Sequence, residues 1–367
     1  MPKTIMHIAE AAGGVERYLV SLLKKIRKYN EYEHIVVCSE YFDTGKFSGI
    51  VKELICIPEL KNAISFSHDS KAVYQVRRVI KSHKPDVVYC HSSKAGAVGR
   101  LAAIGCHCKV LYNAHGWAFN MRGISTAKRI LYQSVEKALA PLTDRIICIS
   151  EYEKKSAIAH RICSKKKLSV IYNGIDFDEY RDILPKAKDE FGIPDNAFVV
   201  GAVGRLTQQK SPDIFVKMAS EIKRKIPEAF FLMVGDGIQR AEIEEQICKH
   251  RLRDSFCITG WVDNPLDYAS CFDVSVLLSR WEGFGLVLPE YMLLGKPIIA
   301  TSVDAIPEVV GEAGILVAPN DPVSAADAVI QVYHDDQLRN EMVARGKRRV
   351  EFFNMQRTAD ETIRLFE

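Results

Sequence analysis

Two patterns of apolar residues alternate along the whole chain. Short apolar runs, typical of strands buried on both faces, are followed by longer segments in which apolar residues recur every three or four positions, as on an amphipathic helix. The predicted strands span residues 5–9, 34–38, 86–91, 110–114, 145–150, 198–203, 230–234, 256–259, 274–278 and 297–301. The predicted helices span about 15–29, 70–84, 93–105, 125–140, 211–226 and 286–295. Strands that alternate with helices predict an α/β fold with parallel sheets.

The alternation starts again half-way along the chain, after a charged stretch at about 175–196. A chain of 367 residues is long enough for two domains. We therefore expect one doubly wound domain over residues 1–175 and a second over 190–351. Two such domains leave a crevice at the carboxyl ends of their strands, and ligands bind at that edge of the sheet.

A pair of glycines, Gly13 and Gly14, follows the first predicted strand and precedes a helix. Glycine lets a ligand approach the backbone closely, and the bare N–H groups of a helix start suit an anion. The spacing differs from the dinucleotide fingerprint G-x-G-x-x-G, which disfavours an NAD-dependent dehydrogenase. A plain tight turn between strand and helix explains the pair equally well.

Two cationic residues follow the first strand of the second half, in the stretch Gly204-Arg205-Leu206-Thr207-Gln208-Gln209-Lys210. An arginine offers a planar fork for phosphate oxygens, and a lysine offers a mobile point charge. A solvated loop is the usual setting for both residue types, but a place at the carboxyl end of a strand favours a phosphate site. Ser211 and Pro212 then predict a capped helix start.

The most informative segment is Glu282-Gly283-Phe284-Gly285-Leu286-Val287-Leu288-Pro289-Glu290, after the fourth predicted strand of the second half. Pro289 fits only the first turn of a helix, so the helix starts near Leu286 and both glycines lie in the loop before it. Free N–H groups there suit a diphosphate, and the carboxylates of Glu282 and Glu290 suit sugar hydroxyls. Compensation of the helix dipole would explain the two carboxylates but not the two glycines.

Three shorter motifs lie at other strand ends. Val234-Gly235-Asp236-Gly237 closes one strand with a turn. His115 ends a strand of the first half and is followed by a glycine; a lone histidine is more often structural, but this one lies at the ligand-binding edge. Gly260-Trp261-Val262 follows another strand and predicts either a simple turn or a backbone contact from Val262 to a base.

The net charge of +4 hides an uneven distribution. Residues 1–170 hold 28 Lys and Arg against 14 Asp and Glu, a net +14, whereas residues 171–367 hold 22 against 32, a net −10. Solvated helix faces explain any single basic cluster. The overall excess favours an anionic membrane surface, to which each nearby basic residue adds about 1 kcal/mol. The residues expected at the membrane and its acceptor are Lys24, Lys25, Lys28 and Lys94. No motif supports nucleic-acid binding.

Composition excludes several classes of protein. With 47% hydrophobic and 26% charged residues, the chain is neither disordered nor fibrous. No run approaches the roughly 18 apolar residues of a transmembrane helix. No apolar leader follows the N-terminus, which disfavours secretion. The ten cysteines contain no C-x-x-C pair, so we expect buried free thiols in a reducing cytoplasm.

In chain order, these motifs resemble glycosyltransferase family 4, whose members are retaining enzymes with the GT-B fold of two facing Rossmann-like domains. The specific feature is Glu282 and Glu290 in an E-x7-E element that begins E-G-F-G. The first half is also similar to bacterial capsule and exopolysaccharide transferases, in the segments His7-Ile8-Ala9-Glu10-Ala11, His91-Ser92-Ser93-Lys94-Ala95-Gly96 and Asn113-Ala114-His115-Gly116. One departure is Asp304-Ala305, where the family often has Gly-Gly before a Pro-Glu pair.

The resemblance implies that residues 352–367 return to complete the first domain, as the C-terminal helix of the family usually does. It also implies a role for each of the quoted residues. Arg205 and Lys210 would hold the nucleotide diphosphate. Glu282 would contact hydroxyls of the donor sugar, Glu290 would bind the ribose, and His115 would approach the sugar from the first domain. The other donor contacts would come from Gly13, Gly14, Gly204, Gly235, Val262, Gly283, Phe284, Gly285 and Leu286.

We therefore expect transfer of a sugar from a nucleoside diphosphate sugar, UDP above others, to a hydroxyl of a growing, lipid-linked cell-surface glycan. Retention at the anomeric carbon is expected without a covalent nucleophile, with the departing phosphate helping to deprotonate the acceptor. No divalent metal or other cofactor is implied, since the D-x-D spacing at Asp176-Phe177-Asp178 lies in the linker. A nucleotide-sugar epimerase and a non-catalytic nucleotide-sugar-binding protein stay open, because a fold does not fix function. The expected location is cytoplasmic and peripheral, at the inner face of the cell membrane.

Overall fold

The computed structural model describes residues 2–10, 13–61, 65–180, 183 and 188–367, with the backbone alone for Asp189. The chain forms two compact units. The first unit consists of Met1–Asp176 and Asn354–Glu367, and the second unit consists of Phe177–Phe353. Each unit is built on one sheet in which every neighbouring pair of strands is parallel.

The first unit alternates strands and helices from its first residues onward. Its elements are β1 (Lys3–Ala9), α1 (Gly14–Ile26), β2 (Tyr32–Cys38), β3 (Glu53–Cys56), α2 (Phe66–His83), β4 (Val87–His91), α3 (Ser93–Ala102), β5 (Lys109–Asn113), α4 (Thr126–Leu139), β6 (Arg145–Cys148), α5 (Glu151–Ala159) and β7 (Leu168–Val170). The strands lie in the order β3-β2-β1-β4-β5-β6-β7.

The second unit repeats this arrangement. Its elements are β8 (Phe198–Val203), α6 (Pro212–Lys225), β9 (Ala229–Val234), α7 (Arg240–Lys249), β10 (Phe256–Ile258), α8 (Pro265–Ala269), β11 (Val274–Leu277), α9 (Val287–Leu293), β12 (Ile298–Thr301), α10 (Ile306–Val310), β13 (Gly314–Val317), α11 (Pro322–His334) and α12 (Asp336–Val350). The strands lie in the order β10-β9-β8-β11-β12-β13. The last helix, α13 (Met355–Ile363), belongs to the first unit.

In both sheets the strand order reverses once, between β1 and β4 in the first unit and between β8 and β11 in the second. The connections on either side of such a switch point run in opposite directions, so the loops after these two strands diverge and leave a crevice at the carboxyl edge. The glycine pair of the first unit follows β1, and Arg205 follows β8. Both motifs therefore lie at a switch point.

The sheet of the first unit contributes to two apolar cores, because neighbouring residues along a strand point to opposite faces. Met6 and Val88 lie in one core, with helix residues such as Val76. Ile5 and Val87, their neighbours along the strands, lie in another. Strands buried on both faces explain why the apolar runs are continuous instead of alternating with polar residues.

Helix α13 packs on the first unit, where Met355, Ala359 and Phe366 join the core of Ile5 and Val87. The chain leaves the first unit and returns to it at adjacent points, because Ile175 and Asn354 form a parallel bridge. Little space separates the two segments there: a Cβ at Gly174 would lie 2.6 Å from Met355 Cα.

The α/β expectation with parallel sheets is confirmed, and each predicted strand is present with ends within two residues of the observed ones. Three short strands escaped prediction, namely β3, β7 and β13. They lie at sheet edges, where only three or four residues pair and the apolar signal is short. The prediction that the Ser211 side chain caps α6 is wrong: Ser211 takes a left-handed conformation (φ 55°), and its hydroxyl makes no capping bond.

Candidate active site

Two loops of the second unit meet at the switch point between β8 and β11. One carries Arg205 and Lys210 after β8, and the other carries residues 279–286 after β11. A hydrogen bond from the Arg280 backbone N–H to the Gln209 carbonyl (2.8 Å) joins them. The Gln209 amide donates to the Trp281 carbonyl (3.1 Å), so the two loops are held together as one structure.

Lys210 and Glu282 form an ion pair between these loops, with 2.5 Å between Nζ and Oε2. The same carboxylate oxygen accepts a hydrogen bond from the Ser279 hydroxyl (3.2 Å). Both side chains are only partly exposed, so their charges meet at the edge of the protein and not in bulk solvent. The pair places an acceptor for hydroxyls and a cation for phosphate in contact with each other.

Asp304 fixes the backbone of Glu282, because its carboxylate accepts the Glu282 N–H (2.9 Å). Asp304 has a left-handed backbone conformation (φ 48°), which a residue other than glycine seldom adopts. This is the position at which the sequence departs from the Gly-Gly pattern. The departure therefore adds a bond that a glycine side chain could not make.

Arg280, which the sequence analysis did not single out, ties the two loops to their surroundings. Its guanidinium donates to Asp213 (2.7 Å), to the Gln208 carbonyl (2.9 Å) and to Asn320 (2.7 Å). The only signal in the sequence is its place three residues after an apolar strand, which many surface arginines share. Arg205 differs from it, since it is exposed and makes no ion pair with another described residue. Its guanidinium is therefore available to a ligand.

Glycines let the loop after β9 touch the loop after β8. A Cβ at Gly235 would lie 2.2 Å from the Gly204 carbonyl oxygen, and one at Gly237 would lie 2.4 Å from the Leu206 carbonyl oxygen. Two backbone hydrogen bonds hold this contact. The Gly204 N–H donates to the Val234 carbonyl (3.0 Å), and the Leu206 N–H donates to a carbonyl of the loop after β9. The short glycine motifs thus pack backbone against backbone beneath Arg205.

The segment between β11 and α9 has the predicted layout, with Gly283 and Gly285 in the loop and the helix beginning directly after Leu286. Gly285 takes φ 81°, and a Cβ there would meet three side chains at 3.2–3.3 Å. Phe284 is buried, and its ring packs edge-on against Phe353 at 5.5 Å between centroids. Glu290 is buried as well and accepts a hydrogen bond from the Tyr180 hydroxyl (3.2 Å).

Val262 lies in the loop after β10, which is anchored beside the glycine loop by a bridge between Gly235 and Gly260. Trp261 is exposed on this loop, as is Ile238 on the neighbouring one. Val262 is therefore at the same edge of the second sheet as Arg205, two strands away.

In the first unit, Gly13 precedes α1 with φ 86°, and Gly14 is the first residue of that helix. Chain neighbours aside, no heavy atom of the described residues lies within 4 Å of the place where a Cβ would stand on either glycine. Ala11, the last residue of the segment that begins at His7, lies outside the described residues, as does Ala12. The two glycines leave open space beside the start of α1.

His115 lies just after β5, partly exposed and with a left-handed backbone (φ 52°). The Asn113 side chain accepts its backbone N–H (2.9 Å), and the Tyr18 ring packs edge-on against the imidazole at 4.7 Å. Its Nε2 lies 3.1 Å from Nδ1 of His91, which is buried. Burial lowers the pKa of His115 to about 3, so the ring is neutral at physiological pH.

The four predicted membrane lysines differ in their surroundings. Lys25 forms an ion pair with Asp176 (2.5 Å), and Lys94 pairs with Asp69. Both are largely shielded from solvent. Lys24 is exposed on α1, and Lys28 is exposed in the turn that follows this helix.

None of the described residues form a group of three or more His, Cys, Asp or Glu arranged to hold a metal ion. No helix within the described ranges is both long and apolar enough to cross a membrane. All ten cysteines are free thiols, and Cys38, Cys90 and Cys148 are buried in strands as predicted. The expectation of burial is wrong for Cys56, which is exposed at the end of edge strand β3, and the other six are only partly buried.

Comparison with known proteins places this geometry in a family. Residues 12–179 match the family model for glycosyltransferase family 4, and residues 185–349 match that for glycosyl transferases group 1. The UDP-Gal:alpha-D-GlcNAc-diphosphoundecaprenol alpha-1,3-galactosyltransferase of Escherichia coli is 30% identical over 344 residues, which is 88% of each chain. The chain belongs to glycosyltransferase family 4.

A further relative is similar over most of its length, and two solved structures share the fold. The capsular polysaccharide biosynthesis glycosyltransferase CapM of Staphylococcus aureus is 26% identical over 89% of this chain and 87% of its own. The sucrose-phosphate synthase of Thermosynechococcus elongatus superposes with a TM-score of 0.85 at 22% identity, covering 99% of this chain and 98% of its own. Anabaena HepE in complex with UDP and glucose superposes with a TM-score of 0.81 at 19% identity, covering 98% of both.

Membership of glycosyltransferase family 4 confirms the resemblance and the GT-B fold class. It also supports sugar transfer and does not favour the epimerase or the non-catalytic binding protein. Within this glycosyltransferase, the second unit brings Lys210 and Glu282 into contact and places Arg205, Glu290 and Val262 along one edge of a single sheet.

Proposed function

We propose that the chain transfers a sugar from a nucleoside diphosphate donor, UDP in the first instance, to a hydroxyl of a growing, lipid-linked cell-surface glycan. The observation that carries the proposal is the meeting of Lys210 with Glu282 at a switch point, beside the exposed guanidinium of Arg205. The cations suit a diphosphate and the carboxylate suits sugar hydroxyls, so the carboxyl edge of the second sheet can bind both the diphosphate and the sugar of the donor.

The ion pair suggests how the donor is received. Without a ligand, Glu282 neutralises Lys210. A diphosphate gives Lys210 a second anionic partner, while hydroxyls of the sugar give Glu282 new donors. Arg205 adds its fork to the phosphate oxygens. The backbone N–H groups of Gly283 to Leu286 and the carboxylate of Glu290 would complete the site, with Glu290 at the ribose and Val262 at the base.

Charge is the main demand of the reaction, because a diphosphate departs while the sugar becomes positive. Preorganised Arg205 and Lys210 lower the barrier by stabilising the leaving group as its charge develops. No carboxylate is assigned the role of a covalent nucleophile, so we propose retention on one face of the sugar, with the departing phosphate taking the acceptor proton. We propose no requirement for a divalent metal.

Two observations support UDP as the nucleotide of the donor. The name of the Escherichia coli relative gives UDP-Gal as its donor, and the Anabaena structure contains UDP and glucose. The same relative's name gives a diphosphoundecaprenol acceptor, which supports a lipid-linked acceptor here. The sugar transferred and the linkage formed are left to experiment.

A screen of UDP-, GDP- and ADP-sugars for nucleotide release, with and without an undecaprenyl diphosphate acceptor, tests the proposal. We expect release with a UDP-sugar, and an α-configured product by NMR if the anomer is retained. Substitutions Arg205→Ala and Glu282→Ala should each lower turnover about 100-fold or more, as for a lost transition-state contact. Lys225→Ala, on the exposed surface of the second unit, is the control. Epimer formation without nucleotide release, or full activity in both variants, would refute the proposal.

We also propose that the first unit meets an anionic membrane, and helix α4 is the strongest candidate for the contact. Ile130 and Leu131 are 56% and 55% exposed on α4, and the exposed Val135 follows one turn later. Lys128 and Lys137 lie on the same helix. An apolar face with basic neighbours is the pattern of a helix that lies in the lipid interface.

Flotation with liposomes of neutral and anionic composition tests the membrane contact. Leu131→Glu should reduce binding to anionic liposomes at least tenfold, because it adds a negative charge and removes an apolar contact. Val323→Glu is the matched control, since Val323 is 54% exposed in the second unit. Equal binding to both kinds of liposome, or equal loss in both variants, would contradict the proposal.

A further inference from the structure

Four histidines form a hydrogen-bonded chain across the first sheet. Three lie on neighbouring strands and the fourth is the second residue after another strand. We call them the histidine chain: His34 on β2, His7 on β1, His91 on β4, and His115 after β5. The three links each measure 3.1 Å, from His34 Nδ1 to His7 Nε2, from His7 Nδ1 to His91 Nε2, and from His91 Nδ1 to His115 Nε2. The histidine chain ends at the carboxyl edge of the sheet, at His115.

All four rings are neutral at physiological pH. Burial lowers the pKa of His34 to about 4 and that of His115 to about 3. It also lowers the pKa values of His7 and His91 well below the usual value, with a further contribution from neighbouring histidines. A neutral imidazole carries one N–H and one bare nitrogen, so it can donate at only one of its two positions.

This restriction links the rings to one another. His7 and His91 each use both nitrogens within the chain, so the direction of one hydrogen bond fixes the direction of the next. Only two arrangements satisfy all three links. Either every ring carries its proton on Nδ1 and donates toward His115, or every ring carries it on Nε2 and donates toward His34.

The buried end of the chain distinguishes the two arrangements. His34 Nε2 is buried and has no hydrogen-bond partner among the described residues. In the second arrangement this nitrogen would carry a proton with no acceptor. In the first arrangement, His34 Nε2 is a bare nitrogen that receives no hydrogen bond. A buried N–H group without an acceptor is rarer in proteins than a buried acceptor without a donor, so the first arrangement is favoured.

We propose that His34, His7 and His91 are positioning residues that fix the tautomer of His115, with its proton on Nδ1. Nε2 of His115 then accepts from His91, and the N–H on the opposite side of the ring points away from the chain as a hydrogen-bond donor for a substrate hydroxyl or phosphate oxygen. This role rests on the proposed function, because it presumes that the edge carrying His115 binds substrate.

The surroundings of His115 hold the ring in one orientation. Tyr18 packs against its face, and Tyr89 packs against His91 at 4.0 Å between centroids. The left-handed backbone of His115 costs energy and is held by its bond to Asn113. A ring fixed in place and in tautomer offers its proton without reorganisation, which is the condition for efficient electrostatic catalysis.

The tautomers are read directly from the ring nitrogens of the full-length protein labelled with ¹⁵N-histidine, since protonated and bare nitrogens have well-separated chemical shifts. At neutral pH and without any sugar nucleotide, we expect His115 to carry its proton on Nδ1, with its signals assigned from the spectrum of His115→Gln. A proton on Nε2 of His115 would overturn the proposal. This reading does not depend on activity, so it stays valid even if no nucleotide sugar proves to be a substrate.

Interrupting the chain tests the influence of distant rings. His7→Phe removes both hydrogen bonds of the second ring, so the His115 proton should become shared between Nδ1 and Nε2. We expect kcat to fall about tenfold, as for one lost directed hydrogen bond, with KM for the donor changed less than twofold. His7→Gln keeps one donor and one acceptor and should restore both the tautomer and kcat. An unchanged His115 tautomer in His7→Phe would overturn the proposal.

Tyr112→Phe controls for simple destabilisation. Tyr112 is buried in β5 of the same sheet, and its hydroxyl donates to Glu136 (2.7 Å). The variant loses a buried hydrogen bond but leaves the histidine chain intact. We expect its His115 ring signals to match those of the parent. A tautomer change of the same size in this variant would mean that the signals report loosening of the sheet, and would overturn the proposal.

Discussion

Lowering the pH should destabilise the first unit through the histidine chain. The rings of His7, His34 and His91 are buried and stay neutral in the folded state, because burial lowers their pKa values. In the unfolded chain each ring titrates near its ordinary value of 6.5. Below that pH, protons bind the unfolded state and not the folded one, so the free energy of unfolding falls as the pH falls.

The size of the effect follows from this difference in proton binding. At pH 5.5 an unfolded histidine is about nine-tenths protonated, whereas the folded ring is not. Each buried ring therefore lowers the free energy of unfolding by about 1.2 kcal/mol between pH 7 and pH 5.5. The three buried rings together account for about 4 kcal/mol, and the partly exposed His115 raises the sum to about 5 kcal/mol. Such a loss is a large share of the 5–15 kcal/mol typical of a domain.

Urea unfolding at the two pH values, at constant ionic strength, measures this loss. Trp117 is buried in the first unit, so a background with Trp261→Phe and Trp281→Phe makes tryptophan fluorescence report that unit. His34→Gln removes one ring and should reduce the difference between the two pH values by about 1.2 kcal/mol. His107→Gln, at an exposed position, should leave that difference as in the parent.

Two results would refute the reasoning. One is a parent chain that loses less than about 1 kcal/mol between pH 7 and pH 5.5. The other is a His34→Gln variant with the same pH difference as the parent. Glu10 acts in the opposite direction, because burial raises the pKa of its carboxyl, so the folded state gains a proton before the unfolded state does. The comparison of variants cancels this contribution, since Glu10 is present in all of them.

Three further predictions concern stability and the donor site. Glu136→Gln should lower the free energy of unfolding, measured in urea, by about 3–5 kcal/mol, because the fully buried guanidinium of Arg100 would lose its carboxylate partner 2.9 Å away. A loss below about 1 kcal/mol would contradict this. Gly235→Ala should lower the melting temperature of the second unit, since the new Cβ would lie 2.2 Å from a carbonyl oxygen. Gly346→Ala should be neutral or stabilising, because the nearest atom to its Cβ is 3.5 Å away, and equal effects of the two substitutions would disprove the steric account. Arg280→Ala should raise KM for the nucleotide sugar at least fivefold, because it would release the loops that carry Lys210 and Glu282. An unchanged KM in steady-state kinetics would show that other contacts hold these loops.

The sequence was sufficient for the parts of the fold that one strand or helix specifies by itself. The second-half strand predicted at 198–203 is β8 to the residue, because an apolar run buried on both faces has no other place in a globular protein. The position of Pro289 likewise located the start of α9, since proline is tolerated only near a helix start. The predicted cap at Ser211 is absent, because a side-chain cap goes with an extended backbone at this position and Ser211 is left-handed.

Features that depend on strand register could not be read from the sequence. His7, His34 and His91 each resemble an isolated histidine in an apolar run, and only the pairing of β1 with β2 and β4 brings their rings together. The same holds for Arg280, whose partners are 40 to 72 residues away along the chain. Candidate chemistry was therefore found where motifs are local, and missed where it is assembled from distant strands.

The return of α13 to the first unit means that the second unit is an insertion between two parts of another fold. The bridge between Ile175 and Asn354 brings the entry and exit points together, so the second unit begins and ends at one place. During synthesis, all of residues 177–353 leave the ribosome before the residues that complete the core around Phe366. The second unit can thus fold first, while the first unit must wait for the last residues of the chain. A premature stop near the C-terminus would accordingly damage the half of the protein that was made earliest.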